Sequence, residues 1–230
     1  MTTPSLLLRM IGWALTALLM LVLATLIYGH IDGDSQGLSL TGSYISEYEA
    51  RAPHWPWIIV SIFAFAVLMM LLAFGFFIRM ERTASGALGC ALLAASSMGM
   101  FFVAYTPMRR VDQPPPSAHA WWTPRWWFTS QTSRTPYEHG MADAYSDVHY
   151  HAIKLVLVNG LTGMVLIGMG LMLSSEWRGY ALITIASALV MAVLFLMGEK
   201  IRYQHGLWQR LGFAAMYFWL CMSRWRLTAP

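Results

Sequence analysis

The sequence predicts an all-α polytopic membrane protein in which six transmembrane helices form one bundle with both termini in the cytoplasm. Of its 230 residues, 57% are hydrophobic and 11% are charged, whereas soluble domains average about 45–50% apolar and about 25% charged residues. Several uncharged apolar runs reach about 18 residues, enough to cross about 30 Å of hydrocarbon. We therefore expect a single membrane domain over residues 1–230.

Charge and cysteine content argue against two other classes of protein. The formal net charge is +4, but the basic residues are dispersed at the ends of apolar runs, whereas nucleic-acid-binding proteins gather them into a patch. We therefore expect no nucleic-acid partner. The two cysteines, Cys90 and Cys221, each lie inside an apolar run, so a disulfide framework is not expected.

Three apolar runs predict the first three spans. Residues 11–28 are uncharged and form an apolar run longer than the core of a signal peptide. No small-residue cleavage site follows them, so we expect an uncleaved anchor. Span two covers 55–78 and opens on a Trp-Pro-Trp sequence, which suits an interfacial helix start. After a short charged turn, span three covers 86–105 and stops at a Thr-Pro pair.

Small residues predict close helix packing in spans three and four. In span three they recur every fourth residue, at Ala87, Ala91, Ala95 and Gly99. Span four covers 155–173 and carries Gly160, Gly163, Gly168 and Gly170. Such patterns let another helix backbone approach, so these two spans are candidate contacts with a larger membrane complex; alanine-rich filler is the alternative.

The last two spans are predicted over 180–198 and 207–223. Span six is the most polar, because Gln209 and Arg210 occupy its first turn. Arg210 can extend its guanidinium to the interface, and the basic residues after 223 provide an anchor at the far end.

The longest loop, residues 108–141, lies between spans three and four. It contains two tryptophan pairs, Trp121 with Trp122 and Trp126 with Trp127. Indole prefers the half-wet headgroup region, so the loop is expected to lie there or against a partner. An ordinary aromatic belt is the alternative.

Basic residues in the short connectors predict the orientation. Cytoplasmic termini place six arginines and two glutamates on the cytoplasmic side, a net charge of +4, and nine basic with nine acidic residues outside. Positive charge in short loops favours the cytoplasm. All histidines then fall on the outer side: His30, His54, His119, His139, His149, His151 and His205.

Ionisable residues recur every fourth position just before span four, at His139, Asp143, Asp147 and His151. On a helix they would form one polar stripe. With residues at the outer ends of other spans, the stripe could line an outer-face cup. Interfacial hydrogen bonding or ion pairing is the plainer interpretation.

Two cofactors fit these residue types. A divalent metal such as zinc would use Asp143, Asp147, His151 and His205, with Glu199 or Glu47 as general base, in a hydrolase acting on lipid headgroups. A peripheral haem would use His151 or His205. A conducting pathway is not expected, because spans one, two, three and five contain no ionisable side chain at depth apart from tyrosine and cysteine.

Several short motifs resemble a known family. They are Ile45-Ser-Glu47 and Pro53 ahead of span two, Thr106-Pro107 closing span three, a histidine leading span four, and Gly206-Leu-Trp-Gln-Arg210-Leu211 opening span six. This pattern is similar to the prokaryotic six-helix family known as domain of unknown function 998, over about residues 10–222. Members often carry an acid at the positions of Thr106-Pro107 and Gln209, and this chain lacks those carboxylates. The resemblance implies an inner-membrane helical bundle and no established reaction.

We therefore expect a non-enzymatic, multi-pass protein of the bacterial inner membrane. It would bind a lipid or small molecule at its outer face or serve as an accessory subunit of a membrane complex. The predicted binding or docking residues are the four loop tryptophans, His54 and Arg210. The alternative is the metal-dependent hydrolase.

Overall fold

The computed structural model describes residues 6–31, 38–40, 43, 45, 54–80, 83–106, 144–201 and 204–229. For residues 144–148, 150, 199 and 205 the description covers the backbone alone. The described residues form six α-helices: α1 (Leu6–Gly29), α2 (Trp55–Arg79), α3 (Ala84–Tyr105), α4 (Ala144–Leu171), α5 (Arg178–Lys200) and α6 (His205–Thr228). The predicted all-α membrane fold is confirmed. The predicted loop over 108–141 lies outside the described residues.

Five of these helices are long and apolar enough to cross a membrane. They are α1, α2, α3, residues His151–Leu171 of α4 and residues Arg178–Gly198 of α5. Helix α6 has 24 residues but carries Gln209, Arg210 and two further arginines near its end. That α6 also crosses the membrane stays a prediction.

The helices form a ring in which each packs on its chain neighbours and α6 returns to α1. Neighbouring helices run antiparallel, because residues near the start of one helix contact residues near the end of the other. For α1 and α6, a methyl group placed on Gly12 would meet Thr228, and the Tyr217 hydroxyl donates a hydrogen bond to the Leu19 carbonyl over 3.0 Å. Helix α2 additionally contacts α6 across the ring.

Because successive helices alternate in direction, the bundle has two ends. We call each end after the α6 arginine that lies there. The Arg226 end holds the starts of α1, α3 and α5 and the ends of the other three helices. The Arg210 end holds the ends of α1, α3 and α5 and the starts of α2, α4 and α6.

Two consecutive serines tie α3 to both of its neighbours. Ser96 donates to the Val156 carbonyl on α4 over 2.8 Å, and Ser97 donates to the Ala66 carbonyl on α2 over 2.7 Å. Successive helical residues point about 100° apart, so adjacent hydroxyls reach different helices. Each such bond contributes about 0.6 kcal/mol inside a membrane.

On the small-residue face predicted for α3, Ala87, Ala91 and Ala95 are exposed, so these alanines do not form the contact with α4. That a partner helix packs on this face stays a prediction. The face that packs on α4 includes Gly89, where a Cβ would lie 2.8 Å from the Gly163 carbonyl oxygen and 2.7 Å from the Ile167 nitrogen. Alanine methyl groups suit lipid as well as a helix, whereas this close backbone approach requires glycine. The four predicted α4 glycines do pack closely, against α3 or α5.

An aromatic cluster fills the core towards the Arg226 end. Phe76 on α2 stacks on Tyr180 of α5 and on Trp219 of α6, with ring centroids 6.0 and 6.5 Å apart. Ser223 donates to the Trp219 carbonyl, so its single proton is used and it accepts from the Tyr180 hydroxyl over 2.5 Å. These contacts join α2, α5 and α6.

Candidate functional site

The candidate site lies at the Arg210 end, where the segment after α1 is tied to the start of α6. The backbone N–H of Ile45 donates to the side-chain oxygen of Gln209 over 2.8 Å. The Arg210 guanidinium donates to the carbonyl oxygens of Ser43, over 2.8 Å, and Gly206, over 3.0 Å. We call these contacts the Gln209–Arg210 clasp. The clasp joins parts of the chain more than 160 residues apart.

A small apolar cluster supports the clasp. Leu38, Ile45 and Ile58 are buried together and pack against Phe213 and Leu26. Ile58 is fully buried. Burying such side chains stabilises the position of the segment, so the polar groups of the clasp are held on a packed base.

His30 lies just past the end of α1. Its Nδ1 donates to the Leu26 carbonyl over 2.7 Å. Burial lowers the pKa of His30, the hydrogen bond to Leu26 opposes this, and the positive charge of Arg210 lowers the pKa further. The Arg210 guanidinium therefore lies close enough to His30 to disfavour protonation of its ring.

His54, a predicted docking residue, precedes α2 at this end. Its ring centroid lies 4.6 Å from that of Tyr28, and Tyr28 meets Trp57 edge-on at 5.7 Å. The exposed aromatic side chains of Tyr28 and Trp57 therefore form a half-wet surface beside His54, as expected at a membrane interface.

A second polar contact joins α3 to α4 at the same end. His149 is fully buried, and its Nδ1 lies 2.6 Å from the Thr106 carbonyl oxygen. A carbonyl only accepts, so Nδ1 carries the proton. Burial lowers the pKa of His149 to about 4, against the opposing effect of its backbone hydrogen bonds. Its Nε2 is buried and has no hydrogen-bond partner among the described residues.

The sequence pattern indicated His151 on α4 as a site residue and did not indicate His149. His151 is exposed, since two residues correspond to about 200° of helix rotation. A signal for His149 was present, because it lies in helical phase with Val156, Gly160 and Gly163, which face the bundle.

The structure describes some of the other predicted site residues only in part. Glu47, Asp143 and the tryptophans Trp121, Trp122, Trp126 and Trp127 lie outside the described residues. Asp147 and His205 lie in the first turns of α4 and α6, and Glu199 lies near the end of α5, each described through its backbone alone.

The topology therefore places the helical candidates at one end, as predicted, while their convergence on one point stays a prediction. Within the described ranges no group of three His, Cys, Asp or Glu side chains is positioned to hold a metal ion.

The described polar side chains at this end mainly connect protein segments. Gln209 and Arg210 bind backbone groups near residues 43–45, and His30 and His149 bind the carbonyls of helix ends. These contacts fix the position of the Arg210 guanidinium. A backbone carbonyl sets the tautomer of each histidine ring.

Two pairs of family-like sequence motifs meet in this structure. Ile45, before span two, contacts Gln209, in the motif that opens span six. Thr106, which closes span three, contacts a histidine that leads span four. Motifs far apart in the chain therefore form the two contacts that shape the Arg210 end.

Comparison with other proteins is consistent with this pattern. No curated protein and no solved structure matches the chain. A family model described as "Protein of unknown function (DUF998)" matches residues 16–226, which is most of the chain. The chain therefore belongs to the DUF998 family.

Proposed function

We propose that this protein is a non-enzymatic binding module of the bacterial inner membrane that holds a lipid or small molecule at its Arg210 end. The Gln209–Arg210 clasp is the observation that carries this proposal. Two long-range hydrogen bonds above a buried apolar cluster preorganise the surface, and preorganisation lowers the entropic cost of binding a ligand.

The expected ligand carries a polar or anionic headgroup. Arg210 is the sixth residue of α6, which places it about 8 Å along the helix from its start. It is half-buried, and its partner Ser43 lies two residues from Ile45 of the buried apolar cluster. A guanidinium in such surroundings interacts strongly with phosphate or carboxylate oxygens. Aromatic Tyr28 and Trp57 supply the apolar part of the same surface.

The binding end would face outwards. At the Arg226 end the described charged residues are five arginines and one glutamate: Arg9, Arg79, Arg178, Arg224, Arg226 and Glu176. Positive charge in short connectors favours the cytoplasm. The N-terminus, at this end, would then be cytoplasmic and the clasp would lie on the outer side.

The binding test uses protein reconstituted with equal amounts of phosphatidylglycerol and phosphatidylcholine, released from the bilayer and weighed intact by native mass spectrometry. We expect wild type to retain phosphatidylglycerol or a co-purified small molecule, and Arg210→Gln to lose it. Lys200→Gln removes an exposed cation at the same end and should retain the ligand. A wild type that carries nothing, or an Arg210→Gln variant that binds like wild type, would overturn the proposal.

Loss of folding must be separated from loss of binding, because Arg210 also holds Ser43. Arg210→Lys preserves the charge and should keep part of the binding. Melting curves in lipid-free detergent show whether each variant is folded. A folded Arg210→Gln protein that loses the ligand while Lys200→Gln keeps it supports the proposal.

The remaining predictions about partners and cofactors have their own tests. A larger complex, through α3 and α4 or the tryptophan-rich loop, would appear as a co-purifying protein in mild detergent. A bound divalent metal would appear in elemental analysis, and a peripheral haem in a visible absorption spectrum. Stoichiometric metal that is lost in a His151→Ala and Asp147→Ala double variant would favour the hydrolase over the binding module.

A further inference from the structure

A groove lies between α2 and α3 at the Arg226 end, opposite the clasp. It encloses a cavity of about 250 Å³ lined by residues from the end of α2 and the first two turns of α3, among them Phe77, Met80, Thr83, Ala87 and Cys90. For comparison, an engineered apolar cavity of about 150 Å³ holds benzene. The groove is thus large enough for a segment of an alkyl chain.

The groove faces the outside of the ring. Phe77 is 55% exposed and Leu88, beside the lining residue Ala87, is 54% exposed. Both helices are candidate membrane spans. From Thr83 to Cys90 the groove runs two helical turns, about 10 Å, into the segment that hydrocarbon would surround.

Its lining is suited to an apolar ligand. The described residues that line the cavity are all uncharged. Among the described lining residues the one hydroxyl is that of Thr83, which accepts a hydrogen bond from the backbone N–H of Gly86 over 3.1 Å and so caps α3. Cys90 is buried at the inner end of the groove. A polar headgroup would therefore remain above the groove while a hydrocarbon chain enters it.

We propose that this groove is a binding site for one acyl chain of a lipid in the leaflet at the Arg226 end. The site is separate from the clasp and does not depend on the proposed function. Moving a chain from bilayer to protein brings no hydrophobic gain, because both surroundings are apolar. Dispersion contacts with walls that an empty groove would leave uncovered favour occupancy.

A lipid chain suits the groove better than a helix of a second protein does. Phe77 and Leu88 project outward beside it, and packed helices need axes within about 8–10 Å of each other. The depression extends over only two turns, so a helix would meet the projecting side chains first. A flexible chain passes between them.

The test is photocrosslinking of the full-length protein in nanodiscs with a phosphatidylcholine that carries a diazirine in the upper half of one acyl chain. Crosslinked residues are located by peptide mass spectrometry. We expect labelling concentrated on residues 77–90 in wild type and lost in Ala87→Trp, which fills the groove. Ala95→Trp, at an exposed position two turns further along α3, should keep wild-type labelling.

A second variant guards against misfolding of Ala87→Trp. Ala87→Leu adds a smaller side chain to the same wall and should reduce labelling in the same region; if Ala87→Trp is not monodisperse, Ala87→Leu decides. Equal labelling of groove-filled and wild-type protein would overturn the site. So would labelling spread evenly over all outward helix faces, or a groove unlabelled because a partner protein covers it. Arg210→Gln should leave the labelling unchanged, which separates this site from the clasp.

Discussion

His149 on α4 donates its Nδ1 proton to the carbonyl oxygen of Thr106 at the end of α3, over 2.6 Å, while its fully buried ring leaves Nε2 without a partner among the described residues. A neutral imidazole therefore joins α4 to the end of α3. Protonation of Nε2 would place a charge in an apolar interior.

Acidification should destabilise the protein through this histidine. The pKa of His149 is lowered from 6.5 to about 4 by burial, so the folded state binds its proton less readily than the unfolded state. Stability is then fully present above pH 6.5 and falls between pH 6.5 and 4, by about 3 kcal/mol in total. Melting temperatures in detergent across this range would measure the loss.

The control for this prediction is His149→Gln, which cannot titrate. Its melting temperature should fall less steeply with pH than that of wild type. His30, whose pKa is also lowered by burial, is present in both proteins and cancels in the comparison. Parallel pH profiles for the two proteins would show that His149 is not the group responsible.

Gly163→Ala should weaken the α3–α4 pair. The added Cβ would lie 2.9 Å from the Gly89 carbonyl oxygen and 3.0 Å from the Leu93 nitrogen, and neither backbone group can move independently of its helix. We expect a loss of about 1–3 kcal/mol, as for other overpacked sites, measured by denaturation in detergent.

Gly179→Ala is the matched control, because a Cβ there meets nothing within 4 Å. Alanine favours a helix over glycine by up to about 1 kcal/mol, so this variant should be neutral or slightly stabilised. A similar loss in both variants would contradict the prediction, because no neighbour approaches Gly179 closely and helix propensity favours alanine.

Gln209→Leu should release Ile45 from the clasp. It removes the acceptor of the Ile45 N–H, and an unsatisfied buried donor costs about 1–3 kcal/mol. Amide exchange at Ile45 should therefore accelerate by about tenfold to a hundredfold, measured by hydrogen exchange and mass spectrometry in nanodiscs. Gln204→Leu, at an exposed position just before α6, should leave the exchange rate unchanged, and an equal effect there would contradict the role of the clasp.

A crossing of the membrane by α6 should place the two termini on the same side. A green fluorescent protein fused after residue 229 should fluoresce in the cytoplasm, because the adjoining Arg224 and Arg226 favour that side. The same reporter fused after Gln204, before α6, should lie outside and stay dark. Fluorescence from the second fusion together with loss from the first would reverse the predicted orientation.

Helix positions were predictable where the hydrocarbon core of the membrane requires an apolar run of a given length. Span two was predicted over 55–78 and occurs at Trp55–Arg79; span three was predicted over 86–105 and occurs at Ala84–Tyr105. Helix α4 starts eleven residues before its predicted span at 155, because residues 144–154 are too polar for a hydropathy pattern to include. The resemblance to the family, based on short motifs, was also confirmed.

The candidate site was less predictable. Arg210 and His54 were chosen for their residue types, and both lie at the predicted end of the bundle. His149 was missed because its isolated position before an apolar run looked like that of the exposed His151. The alanine stripe of α3 was assigned to packing because a small side chain fits both lipid and a helix, so spacing alone does not separate the two.

By itself, the sequence determined the class of the protein, its helices and the end of the bundle at which the described histidines lie. These depend on the transfer free energy of each residue into hydrocarbon, which is a local property. Only the tertiary structure decided that α6 closes the ring on α1, that glycines form the α3–α4 contact, and that Ile45 meets Gln209. The Ile45–Gln209 bond joins residues 164 apart and the Tyr217–Leu19 bond joins residues 198 apart. No local period of the sequence specifies which distant segments will pair.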